Sequence, residues 1–137
     1  MADEIEIMVL DDEPTVCERL REFLSKKGLR VEAFGDSQTA IDRLAEKRFD
    51  VVITDLKMKG PTGLDVLMFV KQQSLPTQVI VVTGYATIEA ARGAEAVGAY
   101  DFINKPFRLN DMYALVKKAA KKARASRRSS RDAEREA

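Results

Sequence analysis

The stretch "VVIT", residues 51–54, is apolar at consecutive positions, and "VIVV" at 79–82 repeats the pattern. A strand with one wet face alternates apolar with polar residues. Unbroken β-branched runs are instead expected where a parallel sheet is covered by helices on both faces. Working outward, "IEIMVL" (5–10), "LRVEAF" (29–34), "QVIVVT" (78–83) and "DFIN" (101–104) read as companion strands. The segments between them carry helical spacing. A first helix begins after Pro14, ends at Gly28 and places Val16, Leu20, Phe23 and Leu24 on one face. A second opens at "GDS" (35–37) with Ile41, Leu44 and Ala45 inward, and a third runs from Gly63 with Leu64, Leu67 and Val70 inward. A fourth, rich in alanine, spans about Thr87 to Gly98. A fifth starts near Arg108 with Leu109, Met112, Leu115 and Val116.

Five βα units joined by right-handed crossovers predict an α/β fold, a flavodoxin-like doubly wound (βα)5 sandwich whose parallel five-stranded sheet has the order 2-1-3-4-5. In such a sheet ligands bind outside the carboxyl ends of the strands, where the winding direction switches. Here the switch falls between strands 1 and 3.

Composition narrows the chemistry. The 137 residues fit one domain, and 45% hydrophobic with 33% charged residues is ordinary for a globular chain. There is no histidine, and Cys17 is the only cysteine. Ser-His-Asp and Cys-His nucleophiles, internal disulfides and the usual zinc sites are thereby excluded, and Cys17 reads as a small helix residue. The start "MADEIEIMVL" lacks the basic opening of a signal peptide and no apolar run reaches membrane length, so a cytoplasmic location and no membrane partner are expected.

The polar residues at the strand ends carry the remaining chemistry. "VLDDEP" (9–14) puts Asp11 and Asp12 after strand 1, Asp55 ends strand 3, Thr83 ends strand 4, and strand 5 runs into Lys105 and Pro106. Singly, each is an ordinary turn, cap or surface residue. Together they line one edge of the sheet. Three carboxylates at the switch point call for a cation, and an all-oxygen site suits Mg²⁺, which keeps waters and accepts a phosphate oxygen. Lys105 offers charge and Thr83 a hydroxyl to phosphate oxygens. An aspartate can be the nucleophile that forms an acyl phosphate, and Asp55 is the natural candidate.

On "VLDDEP", "ITDLKM" (53–58), "VVTGYAT" (81–87) and "AYDFINKPF" (99–107), the sequence resembles the receiver domains of bacterial response regulators over about residues 4–123. It is most similar in motif to the receivers of enhancer-binding (NtrC-type) transcription activators. The resemblance implies Mg²⁺-dependent phosphoryl transfer from a sensor kinase phosphohistidine to Asp55. The ion would be held by Asp12, Asp55 and the backbone carbonyl of Lys57, with Asp11 contributing through water. Lys105 would pair with the phosphoryl group and Thr83 would swing to hydrogen-bond it. Phe102 would turn inward in step, changing the surface of helix 4, strand 5 and helix 5; a permanently buried core aromatic is the alternative. The Lys105–Pro106 bond is implied to be cis. Lys59 stands where the family usually has proline, with Pro61 displaced, and Lys57 and Tyr85 occupy positions that govern access of the hydrolytic water. The domain would catalyse only its own phosphorylation and dephosphorylation.

From Lys117 onward nine Lys or Arg face three Asp or Glu, leaving 14 basic and 19 acidic residues before it. Helix 5 is expected to extend into this tail, residues 124–137, with a solvated, frayed basic linker as the alternative. A thin seam of Met112, Val116, Ala119 and Ala123 is what it would offer another chain. Direct nucleic-acid binding is not expected, because no aromatic residues interleave with the basic ones. The expected partners are a sensor histidine kinase or phosphotransfer protein, a second copy through the helix 4 to helix 5 face, and an output domain outside this sequence if the chain is not a stand-alone regulator. The rival from another class, a haloacid-dehalogenase-type phosphatase, needs Asp-x-Asp after strand 1, but Glu13 stands two residues after Asp11. A nucleotide or flavin binder is disfavoured by "DDEPT", negative where a phosphate cradle belongs.

Overall fold

The computed structural model describes residues 4–56, 63–84 and 88–136. Five strands, β1 (Glu6–Leu10), β2 (Arg30–Phe34), β3 (Val51–Asp55), β4 (Gln78–Thr83) and β5 (Asp101–Asn104), alternate with α1 (Pro14–Lys26), α2 (Ser37–Glu46), α3 (Gly63–Gln72), α4 (Ile88–Val97) and α5 (Leu109–Glu136). The sheet is parallel throughout, with the order β2-β1-β3-β4-β5. The doubly wound sandwich expected from the apolar runs is therefore the fold of the chain.

β3 and β4 are buried at every position because strand alternation sends their side chains into two cores. Ile7, Val9, Val51, Ile53, Ile80 and Val82 pack under α1 and α5, while Met8, Leu10, Val52, Val79 and Val81 pack under α2, α3 and α4. Each fully buried aliphatic side chain contributes about 1.5–3 kcal/mol, so both faces weigh in the stability. α1 has proline at its first turn and stops at Gly28, whose φ of 88° lies in the left-handed region. The Leu29 N–H reaches the Leu24 carbonyl at 3.2 Å and the Gly28 N–H the Ser25 carbonyl at 3.0 Å, which closes the helix end.

The structure adjusts one expected helix face, completes a second and reassigns a third. In α2, Ala45 is exposed and Ile41 half-buried, while Ser37, Ala40 and Leu44 are buried. Asp36, which accepts the Thr39 N–H at 2.9 Å, sets the start of the helix and hence this phase. In α3, Val66 is fully buried and Leu64 only partly. In α5, Met112, Val116, Ala119 and Ala123 do form a seam, but each is at most 2% exposed against the domain's own core and offers nothing to another chain.

α5 continues without a break past residue 123. Arg124 Nη2 donates to the Glu4 carbonyl at 2.8 Å, and the guanidinium lies 3.5 Å from the buried Asp50. Among the described residues no helix is long and apolar enough to cross a membrane.

Candidate functional site

The register carries the polar strand ends to one edge. Leu10 pairs with Thr54 and Asp55 with Val82, so Asp11 follows β1 beside Asp55, and Thr83 stands one residue further along β4. Strand parity puts Asp11 and Asp55 in phase with the residues facing α1 and α5. Thr83 and Phe102 are in phase with those facing α4.

Asp11 and Asp55 are buried, Asp12 is exposed, and oxygens of the three carboxylates all lie within 4.8 Å of one another. Lys105 Nζ donates to Asp11 Oδ2 and to Asp55 Oδ2, each at 2.8 Å. Burial of the ammonium works to lower its pKa, but the hydrogen bonds and charges of Asp11 and Asp55 outweigh that and hold it well above the ordinary lysine value. One ammonium therefore serves two buried carboxylates beside a third acid. Among the described residues the donor set is all oxygen, three carboxylates to one ammonium, which fits a hard divalent cation such as Mg²⁺.

Backbone contacts fix these groups. The Asp11 N–H donates to the Phe34 carbonyl at 3.2 Å, and Asp11 Oδ1 accepts the Glu13 N–H at 2.9 Å. Thr83 is fully buried, and its carbonyl accepts the Lys105 N–H at 2.9 Å, tying the ends of β4 and β5 together. The Lys105–Pro106 bond is cis, as the resemblance implied. Phe102 is half-buried and packs against the α4-side core. Lys57, Lys59, Pro61 and Tyr85 lie outside the described residues.

Three residues near the site escaped the sequence reading. The Cys17 thiol donates to the Asp11 carbonyl at 3.2 Å, and burial pushes its pKa up, keeping the proton this bond needs. A Cβ on Gly63 would stand 2.2 Å from the Asp55 carbonyl oxygen, so α3 starts directly against the backbone of the central aspartate. Glu13, at the N-cap position of α1 without a side-chain cap bond, has its exposed carboxylate 3.9 Å from Lys105. Its place in the run of acids was visible, but no spacing rule says which way a loop side chain turns.

The family model described as "Response regulator receiver domain" matches residues 7–117. The transcriptional regulatory protein FixJ of Bradyrhizobium diazoefficiens is 32% identical over 117 residues, 85% of this chain and 57% of FixJ. The DNA-binding transcriptional regulator NtrC of Escherichia coli K12 is 33% identical over 113 residues, 82% of this chain and 24% of NtrC. The chain thus spans little more than half of one relative and a quarter of the other. The solution structure of the beryllofluoride-activated NtrC4 receiver domain dimer is similar with a TM-score of 0.81 at 28% identity, covering 86% of this chain and 98% of that one.

Proposed function

The chain belongs to the response regulator receiver domain family, and from that premise we propose that Asp55 is the phosphoacceptor in a two-component relay. The observation that carries the reading is the pair of 2.8 Å contacts from Lys105 to Asp11 and Asp55 at the switch point of the sheet. A carboxylate is thereby held beside a cation able to meet the incoming phosphoryl oxygens.

In the proposed step an oxygen of Asp55 attacks the phosphorus of a kinase phosphohistidine. The P–N bond breaks and the imidazole leaves with its electron pair. Lys105 pairs with the transferred phosphoryl oxygens, and Asp11, no longer sharing that ammonium equally, stays anchored by the Glu13 N–H. Asp11, Asp12, Asp55 and the Lys57 carbonyl would hold Mg²⁺. When bound, the ion supplies positive charge to the phosphoryl oxygens as they approach three acids. Thr83 donates its hydroxyl to the new phosphoryl group, and Phe102, in the same strand phase, shifts against the α4-side core.

The readout is a changed α4–β5–α5 face, through which the chain pairs with a second copy or with an output domain. Residues 4–123 form the receiver unit and 124–137 its extension. The similar NtrC4 receiver is a dimer in its activated form, which supports pairing as the output. The chain acts on no substrate but its own phosphoryl group, and a cytoplasmic location suits a partner kinase there.

Intact mass after incubation with acetyl phosphate and Mg²⁺ tests the proposal. The parent should gain one phosphoryl group and Asp55→Asn none. An unmodified parent, or an equal gain in the variant, overturns it.

A further inference from the structure

At the opposite end of the sheet, the α3–β4 connection and α5 enclose a concavity of about 350 Å³ lined by Lys71, Ser74, Pro76, Gln78, Lys122 and Ser126. Neither lysine has a carboxylate within 4.0 Å among the described residues, although the domain before residue 117 is acidic. Both are nonetheless positioned. The Lys71 stem crosses Gly98, where a Cβ would stand 2.6 Å from its Cε, and the φ of 98° also suits glycine there. The Lys122 ammonium lies 5.6 Å from the centroid of the Tyr100 ring.

The remaining wall carries further polar groups. Gln78, 8% exposed, is oriented by donation from Nε2 to the Pro76 carbonyl at 3.0 Å, and Ser74 and Ser126 bring hydroxyls. Carbonyls at the carboxyl end of α3 would repel negative charge if they were open. Those of Val70 and Lys71 are already taken by the Leu75 and Ser74 N–H groups, at 3.0 and 3.1 Å.

We propose that this concavity binds a dianionic phosphate group carried by a small molecule, with Lys71 and Lys122 as its two cationic walls and the serine hydroxyls as donors. Because Lys71 belongs to α3 and Lys122 to α5, occupancy would join the α5 helix to the domain at a point remote from Asp55.

The test is an amide-resolved NMR titration of the full chain with inorganic phosphate at constant ionic strength, for the parent, Lys71→Gln, Lys122→Gln and the double variant. Saturable shifts are expected at Ser74, Leu75, Gln78 and Ser126, weakened at least about 5-fold by each single change and lost in the double one. Lys71→Arg should keep them. A six-residue strand spans about 20 Å, so phosphate bound near Lys105 would shift a separate set of amides and leave the phosphoacceptor reading testable on its own. Shifts reproduced by chloride, shifts unchanged in the double variant, or saturation confined to the Asp55 end would each overturn the proposal.

Discussion

Asp50 and Asp55 bracket the same strand, β3, and are almost equally buried at 5% and 8% exposure, yet their surroundings are opposite. At the amino end Asp50 accepts the Glu6 N–H at 2.9 Å and faces the guanidinium of Arg124. Its own N–H and carbonyl are taken by Glu6 and Gln78. One acid meets one base, and the account closes. At the carboxyl end Asp11 and Asp55 share Lys105, with Asp12 beside them. Among the described residues, one buried carboxylate of β3 thus faces a single base, while the other shares its ammonium with a second buried acid.

Removing Lys105 should break the contrast most severely. Lys105→Met leaves Asp11 and Asp55 buried together without their cation, at a cost of about 3 kcal/mol in urea unfolding, and Mg²⁺ should recover part of the loss. The pH dependence has a definite sign. Because Lys105 is held above the ordinary lysine value in the folded state, its stabilisation is complete below about pH 10.4 and declines as pH rises beyond it toward the folded value. Parent and variant unfolding free energies should therefore converge above that pH.

At the balanced end, Asp50→Ala should cost about 1–3 kcal/mol by leaving the Glu6 N–H without its acceptor and removing the carboxylate that Arg124 faces. The rate of phosphorylation by acetyl phosphate, measured well below the melting temperature, should not change. A loss of rate matching that of Lys105→Met would erase the distinction between the two ends. Gly63→Ala sits between them in kind: its Cβ collides with the Asp55 backbone, so about 1–3 kcal/mol of stability and phosphorylation rate should fall together.

The smallest effect has the opposite sign. Asp12 is exposed and is the one member of the acid trio without a described contact to Lys105. Asp12→Asn should raise stability by about 0.5 kcal/mol at low ionic strength without divalent cation, while weakening the Mg²⁺-induced rise in melting temperature. A destabilised variant would mean that the three charges do not repel.

Strand ends and strand order were legible because β-branched runs and their polar successors are local features. β4 and β5 coincide with the runs read from sequence, and β3 extends one residue further because Asp55 itself pairs with Val82. Helix faces were less legible. α3 reads "GLDVLMFV", apolar at nearly every position, so periodicity alone does not distinguish Val66 from Leu64. In α2 two alanines compete for the inner face, and the cap at Asp36, not hydrophobicity, decides for Ala40 over Ala45. The α5 seam was visible, but alanine is equally suited to another helix and to close approach on a sheet. Only tertiary packing shows that the sheet takes it. The Cys17 bond to the Asp11 carbonyl and the Gly63 approach to Asp55 arise between elements, where no periodicity reports them.

α5 runs for 28 residues, about 42 Å at 1.5 Å per residue, and Arg124 clasps it to the amino edge of the sheet. That clasp is a fulcrum. Twelve residues lie beyond it, an arm of about 18 Å, so a tilt of about 10° around Arg124 would carry the far tip roughly 3 Å. A rearrangement too small to reshape the domain can thus become a displacement on the scale of a side chain at the far end of the helix.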